Sequence, residues 1–268
     1  MASLSKLVIA IKSGGEMGSA IAWRLYQARM RRMLILETPH PLAVRRTVSF
    51  CEAVHDGECE VEGVRGVRVD SLDQIEDTWT AGSLPILVDP TWGSLATIGP
   101  DVLVDAIIAK RNLGTQIADA PLVIALGPGF EAGKDTHLVV ETNRGHDLGR
   151  VITQGPAAPN TSTPGSINGY AGERVLRAPV EGKLTWTHAL GDLVEAGEIL
   201  GDVAGVPLTA SIPGLLRGQI RARNHVPRGL KLGDIDPRGD RSFLHTISDK
   251  GRALGGAVLE CIMRNYNT

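Results

Sequence analysis

The sequence predicts an α/β domain followed by a β-rich domain and a closing helix. Three observations carry that prediction. Short apolar runs alternate with helix-period stretches over the first half, a Pro/Gly/Ser/Thr/Asn-rich segment spans residues 154–172, and an internal repeat at an offset of 32 residues lies beyond it. The 268 residues correspond to about two domains at ~150 residues each. With 43% hydrophobic and 22% charged residues, the chain can build a core, which argues against global disorder.

The first apolar run, residues 7–11, ends at Lys12-Ser13-Gly14-Gly15. Met17, Ala20, Ile21, Leu25 and Ala28 follow at three- and four-residue spacing, the period of a helix face. Residues 33–36 are apolar again and end in Glu37-Thr38-Pro39. Strand, glycine turn, helix, strand and acid make a βαβ unit, which predicts a Rossmann-like domain over residues 1–153.

The turn matches two of the three glycines of G-x-G-x-x-G, Gly15 and Gly18, with Ser13 in place of the first. Glycine lets the backbone approach a pyrophosphate, and a helix N-terminus offers it free amides. Glu37 stands where an acid meets a ribose hydroxyl. Ser13, Gly14, Gly15, Met17, Gly18 and Glu37 are therefore candidate cofactor-binding residues. The alternative is a tight turn before a packed helix, without a ligand. Glu16 would repel a phosphate if it faced inward.

Further strands are expected over residues 61–69 and 84–88, with a helix over 71–80 between them. Asp89-Pro90 closes a strand at the edge where open α/β sheets place their sites. Residues 101–109 and 121–126 read as two strands, or as a helix and a strand. Gly127 and Gly129 open a glycine-rich loop that runs to Lys134, and Arg144, His146 and Arg150 follow the next strand. With Arg45, these groups suit an anion or a pterin-like ring. The alternative is solvated charge and a hydrogen-bonded structural histidine. No P-loop pattern occurs, and His137 and His146 lie nine apart rather than four, so no metal site is expected.

In the second half, residues 178–203 match residues 210–235 with eight identities in 26 columns, among them Gly182/Gly214, Leu184/Leu216, Val194/Val226, Gly197/Gly229 and Asp202/Asp234. Two copies of a short β unit predict a two-fold β structure. The shared pattern A-x-x-x-G-x-L…V-x-x-G-x-x-L-G-D is similar to lipoyl and biotinyl carrier domains, which implies a barrel-sandwich hybrid over residues 174–240, after a linker or crossing loop over 154–173. Those carriers hold their cofactor on a lysine at a hairpin tip; residues 202–207 have none, so a swinging arm is not expected. Arg223, Arg228, Lys231 and Arg238 read as a docking face or as solvated charge. No aromatics interleave with them as a nucleic-acid platform would need. Residues 248–263 form the closing helix, capped by Ser248 and striped by Leu254, Val258, Leu259 and Ile262. It is expected to pack, within residues 241–268, on the first domain, with Gly255-Gly256 marking close contact.

A net charge of −2 leaves no global field to recruit nucleic acid or an anionic membrane. Cys51, Cys59 and Cys261 cannot all pair with one another and no CxxC occurs, which fits a reducing cytoplasm. No apolar run reaches the ~18 residues of a membrane span.

With these residues in view, the sequence resembles the accessory proteins of selenium-dependent molybdenum hydroxylase systems, distantly similar to xanthine dehydrogenase maturation factors. The resemblance is carried by residues 12–18, 45–50, 104–115 (VDAIIAKRNLGT), 119–135 (DAPLVIALGPGFEAGKD), 139–150 (VVETNRGHDLGR), 229–238 (GLKLGDIDPR) and 247–260 (ISDKGRALGGAVLE). The family's turn reads closer to G-A-G-D-L-A; here the acid is kept as Glu16 and the leading glycine is lost, which puts NAD binding in doubt. The resemblance implies a maturation factor that binds the molybdenum cofactor, as molybdopterin or its nucleotide form, with Lys110 among the basic groups near the glycine loops. A molybdenum hydroxylase client is the implied partner, and a homo-oligomer is a further expectation. Two alternatives stand beside it: an NAD(P)-dependent oxidoreductase using NAD(H), and a non-enzymatic assembly or scaffold protein.

Overall fold

A computed structural model of the chain describes residues 4–161 and 164–267; residues 162–163 of the expected linker lie outside the described residues. The chain divides into two units, one of Met1–Pro41, Val48–Asn160 and Ile247–Thr268, the other of Leu42–Thr47 and Thr161–Thr246.

The first unit is built on β1 (Ile9–Lys12), α1 (Glu16–Gln27), β2 (Met33–Glu37), α2 (Ala53–Asp56), β3 (Glu58–Val61), β4 (Val64–Val69), α3 (Gln74–Thr80), β5 (Leu84–Val88), α4 (Leu95–Ile98), β6 (Val102–Asp105), β7 (Leu122–Leu126), β8 (Glu131–Ala132), β9 (Leu138–Val140), β10 (Val151–Ile152) and β11 (Gly155–Pro156). Nine of these strands form one sheet in the order β10-β9-β7-β6-β1-β2-β5-β4-β3. The strands from β9 to β4 run parallel, and an antiparallel strand closes each margin, β10 on β9 and β3 on β4. Central strands β1, β2 and β7 are buried at every position, which is why they read as unbroken apolar runs rather than as alternation.

The expected fold class is corrected here. This unit is a mixed α/β arrangement on a large mixed sheet, not a Rossmann-like doubly wound domain. The cause lies in the connections. Between β6 and β7 the chain forms only a 3-10 turn at Ile117–Asp119, and between β7 and β9 it makes the short strand β8. Both crossovers therefore lack the helix that a doubly wound layer needs.

The closing helix α5 (Asp249–Tyr266) buries Leu254, Val258, Cys261 and Ile262 in the same cluster as Ile21, Leu25, Ile124 and Val140. Each such aliphatic is worth about 1.5–3 kcal/mol when fully buried. A Cβ on Gly251 would lie 2.9 Å from Ala20 Cβ, and one on Gly255 would lie 2.9 Å from Arg24 Cβ, so α5 meets α1 almost backbone to backbone. Gly256 faces no neighbour within 4 Å, so of the glycine pair only Gly255 marks close contact.

The second unit contains β12 (Val175–Arg177), β13 (Gly182–Trp186), β14 (Leu193–Val194), β15 (Ile199–Val203), β16 (Val206–Thr209), β17 (Gly214–Gln219), β18 (Arg223–Val226) and β19 (Lys231–Asp236). They form two antiparallel sheets, β12-β19-β17-β14 and β16-β15-β13-β18. The barrel-sandwich-hybrid, lipoyl-like expectation is corrected with the fold class: each sheet is a separate four-stranded ladder, and no ladder joins the two among the described residues.

The sequence repeat is nonetheless visible in the pairing. Strand β13 of the first copy pairs with β18 of the second through Gly182↔Val226, and β14 of the first pairs with β17 of the second through Val194↔Gly214. The 32-residue offset carries one register onto the other. Gly182 and Gly214 hold φ of 147° and 151°. A Cβ there would lie 2.6 Å from Ala204 Cβ and 2.4 Å from the Asp236 carbonyl, the same place in each copy.

Candidate functional site at the carboxyl edge of the first unit

Five of the parallel strands hand a polar group to the carboxyl edge of the large sheet. Lys12 ends β1, Glu37 ends β2, Asp89 follows β5, Asp105 ends β6 and Glu141 follows β9. Strand β1 has β2 on one side and β6 on the other. The connections leaving it therefore diverge, and this is where open α/β sheets leave a crevice.

At that point Lys12 and Asp105 are register partners. Each is only 1% exposed. Lys12 Nζ donates to Thr115 Oγ1 at 2.8 Å, and Thr115 Oγ1 donates to Asp105 Oδ2 at 2.6 Å. Asp105 Oδ1 also accepts the Ile107 amide at 3.2 Å, and Asp119 lies 3.7 Å from Lys12 Nζ. Burial pushes the Lys12 ammonium below its ordinary range, and the charges of Asp105 and Asp119 only partly restore it. Burial likewise pushes the Asp105 carboxyl up, against the hydrogen bonds from Thr115 and Ile107. Both shifts narrow the difference in proton affinity between Lys12 and Asp105.

The glycine turn lies next to this chain of groups. Ser13 takes a left-handed φ of 77°, and the Gly15 amide donates to its Oγ at 3.3 Å. A Cβ on Gly18 would fall 2.0 Å from the Ser13 carbonyl, so Gly18 brings α1 directly onto the strand end. Met17 packs at the margin of the core. The Gly14 amide donates to Glu37 Oε2 at 2.8 Å, and Glu37 Oε1 accepts the Thr38 amide at 2.8 Å. Glu37 is thus buried and engaged with the turn itself rather than presented to a ribose. The Gly14 carbonyl accepts from the Cys51 amide at 2.9 Å and from Ser19 Oγ at 2.8 Å. Ser248 Oγ donates to Glu16 at 2.8 Å, tying the start of α5 to the start of α1.

The remaining expected residues separate. Gly129, at φ 108°, brings its loop against the backbone of Lys110 and Arg111, where an added Cβ would meet Arg111 N at 2.6 Å. Gly127, at φ 74°, lies against Thr142. Lys110 is exposed at a left-handed φ of 61°. Arg144 is exposed and pairs with Asp249 at 2.7 Å. Lys250, the next residue of α5, is half-buried. Its ammonium is pushed down first by burial, then by the charges of Arg144 and Lys110, against Glu16 and Glu141. Lys110, Arg144 and Lys250 thus lie within one another's field, with Glu16, Glu141 and Asp249 among them. Lys134 pairs with Glu131 at 3.1 Å and Arg150 with Asp147 at 3.3 Å, both exposed, and His146 is exposed. Arg45 belongs to the second unit, where it donates to the Phe243 and Thr246 carbonyls at 2.7 and 3.0 Å.

A cleft of ≈ 400 Å³ lies beyond the end of β9, lined by Glu141, Asp147, Arg150, Thr153 and Gln154 among others. Among the described residues no group of three or more His, Cys, Asp and Glu is arranged to hold a metal ion. Among them, too, no helix is long and apolar enough to cross a membrane.

Lys12, Asp105, Thr115, Glu141 and Lys250 were not singled out by motif. The signal was present as a strand-end pattern: IAIK, MLILE, LPILVD, VLVD and LVVE each end an apolar run in a titratable residue.

No family model matches the chain. It is 44% identical over 256 residues to the uncharacterized protein YqeB of Escherichia coli (strain K12), covering 96% of this chain and 47% of that protein. The chain therefore spans about half the length of the curated relative it matches. Among solved structures it matches an aspartoacylase family protein of Mesorhizobium loti at TM-score 0.25 and 9% identity, over 85% of this chain and 84% of that one. A succinylglutamate desuccinylase/aspartoacylase of Rhodobacter sphaeroides matches at 0.26 and 15%, with coverage of 85% and 84%. An ectoine utilization protein of Ruegeria pomeroyi matches at 0.26 and 10%, with coverage of 85% and 85%. At these scores none carries its activity to this chain.

The comparisons correct the family resemblance. The proteins named above are an uncharacterized relative, aspartoacylase or desuccinylase proteins and an ectoine utilization protein, and none of them is named as an accessory protein of a molybdenum hydroxylase. The selenium-dependent system, the maturation role and the hydroxylase client fall with it. The NAD(P)-dependent oxidoreductase and the scaffold alternatives gain no support either. For the former the physical reason is Glu37, whose carboxylate is taken by the Gly14 and Thr38 amides.

Proposed function

We propose that the first unit is the site-bearing part of an enzyme acting on a small anionic substrate at the carboxyl edge of its sheet, with Lys12, Thr115 and Asp105 as its proton-handling centre. The observation that carries this reading is the continuous hydrogen-bond chain, Lys12 to Thr115 at 2.8 Å and Thr115 to Asp105 at 2.6 Å, at the point where the strand connections diverge. This lysine is buried, has Asp119 3.7 Å from its Nζ, and reaches a second acid, Asp105, through a hydroxyl. An ammonium destabilised by burial and linked to a carboxyl through a hydroxyl is a group that can give up and regain a proton, as acid–base chemistry requires. Charge selection is assigned to Lys110 and Lys250, which act on each other at the start of α5. The three free thiols support a reducing, cytoplasmic setting for this chemistry.

Calorimetric titration with inorganic phosphate, pyrophosphate and succinate tests the reading. At least one of these is expected to bind saturably, and Lys110→Ala and Lys250→Ala are each expected to weaken it by about tenfold, ~1.4 kcal/mol. Binding that is absent, or unchanged in both variants, would remove the proposal.

A further inference from the structure

Four tryptophans occur in the chain, and three are pinned through the indole N–H. Trp23 Nε1 donates to the Glu62 carbonyl at 3.2 Å, Trp79 Nε1 to Met33 at 2.6 Å, and Trp186 Nε1 to Ile220 at 3.0 Å. The fourth, Trp92, makes no such bond among the described residues. Its ring lies over Lys12 instead, with Nζ 5.4 Å from the ring centroid. Lys12 is otherwise sealed, so Trp92 is the half-buried group that the ammonium meets on that side.

The loop that carries Trp92 is held in an unusual way. Trp92 takes a left-handed φ of 60°, a conformation that bulky residues seldom hold without enforcement. The enforcement comes from Asp89, which accepts from Thr91 Oγ1 at 3.3 Å, the Gly93 amide at 3.2 Å, the Ser94 amide at 2.8 Å and Ser94 Oγ at 2.5 Å. Burial alone would raise the Asp89 carboxyl, but these bonds hold it below the ordinary range, so the bracket persists at neutral pH. Asp89 thus fixes the residues on either side of Trp92 and leaves the indole itself unbonded, at the carboxyl edge and next to the buried amine.

We propose that Trp92 is a substrate-contacting residue of the Lys12 site, its ring covering the ammonium and its free indole N–H donating to the anionic group of the substrate. This rests on the reading of the carboxyl edge as the site. The indole N–H is not among the buried atoms that lack a partner, so it is open to solvent and to a ligand, and an anion is the partner that satisfies it most strongly. A cation held over an indole face also loses less on leaving water than one held against aliphatic groups.

Two variants separate the two roles. Trp92→Phe keeps a ring over Lys12 and removes the donor; Trp92→Ala removes both. Two readouts are taken on the whole chain: pyrophosphate affinity by calorimetry, and the rate at which acetic anhydride acylates Lys12, followed by peptide mass spectrometry with exposed Lys6 and Lys183 as references. The expected result is that Trp92→Phe weakens pyrophosphate about tenfold while Lys12 acylation stays at the wild-type rate. Trp92→Ala is expected to weaken pyrophosphate similarly and to raise Lys12 acylation at least tenfold, with the reference lysines unchanged. Wild-type pyrophosphate affinity in both variants, or a Lys12 rate that Trp92→Ala leaves unmoved, overturns the inference. If Lys110→Ala and Lys250→Ala weaken pyrophosphate while the Trp92 variants do not, this inference fails alone and the carboxyl-edge site stands. If the wild-type chain binds no anion, the site reading fails and takes the donor role with it. Circular dichroism on each variant identifies any that has not folded, and Trp92→Phe then decides alone.

Discussion

Lys12 and Asp105 stand side by side in register at the ends of two neighbouring parallel strands, yet their closest link runs through the hydroxyl of Thr115. A substitution at Thr115 therefore acts on two buried ionisable groups at once. Thr115→Val, which keeps the shape and removes the hydroxyl, is expected to cost about 2–4 kcal/mol, since each unsatisfied buried partner costs about 1–3 kcal/mol. Thr115→Ser is expected to recover most of it. Urea unfolding of the three proteins measures this, and equal midpoints for the valine and serine variants would show that the hydroxyl joins nothing of consequence.

Glu37 offers a contrast between burial as structure and burial as a binding device. Its two oxygens accept the Gly14 and Thr38 amides, so Glu37→Ala strands two donors in the turn. A loss of about 2–4 kcal/mol is expected, again at about 1–3 kcal/mol per orphaned group. NADH titrated against the wild-type chain, followed by nicotinamide fluorescence, is expected to show no saturable binding.

The two adjacent glycines of α5 make opposite predictions. Gly255→Ala would push a methyl group to 2.9 Å from Arg24 Cβ and 3.0 Å from the Ala20 carbonyl, so the helices must separate, at about 1–3 kcal/mol. Gly256→Ala meets nothing within 4 Å and gains helix propensity, so it is expected to stabilise by about 1 kcal/mol. Thermal melting that moved both variants the same way would contradict the packing described for α5 on α1.

Alkaline pH is expected to unfold the protein partly through its thiols. Burial pushes the Cys261 thiol to about 12, against 9.0 in the unfolded chain. Between those values the native state holds a proton that the unfolded state has released. Stability is therefore lost as pH rises through 9, and this thiol alone costs about 1.4 kcal/mol at pH 10. Cys261→Ala removes that slope. Plotted from pH 8 to pH 10, its unfolding free energy should fall by about that much less than the wild type's, whatever constant offset the smaller side chain introduces.

In the second unit Asp236 is fully buried between two guanidinium groups, Arg217 at 2.8 Å and Arg238 at 2.6 Å. Burial alone would raise its carboxyl, but the hydrogen bonds and charges of Arg238 and the charge of Arg217 hold it below 3.8. Its contribution is present above the unfolded value and disappears as pH falls through the lower folded one. Asp236→Ala leaves Arg217 its pair with Asp234 and Arg238 its exposure, so a loss of about 1–3 kcal/mol is expected. A double-mutant cycle with Arg238→Ala reads the coupling directly.

Much of this was legible along the chain. The apolar runs that became β1, β2, β5, β6 and β7 are local facts of composition. So is the 32-residue repeat, because two copies of one sequence meet the same turn requirements, as Gly182 and Gly214 do with their matching left-handed φ. The residue types at the strand ends were legible too, once read as ends rather than as motifs. What the chain could not disclose was pairing. Whether the connections after β6 and β7 would carry helices depends on how residues 106–121 and 127–137 pack, and they settled into turns and a short strand. The glycine turn resembled a phosphate cradle because local sequence cannot show that Glu37, 23 residues away from Gly14, takes the amide for itself. Nor could it show that Lys12 and Thr115, 103 residues apart, share a hydrogen bond, or that Trp92 lies over that amine. Sequence determined the elements because their physics is short-ranged. Tertiary structure decided the site, because burying a charge against a distant partner is settled only when the whole sheet closes.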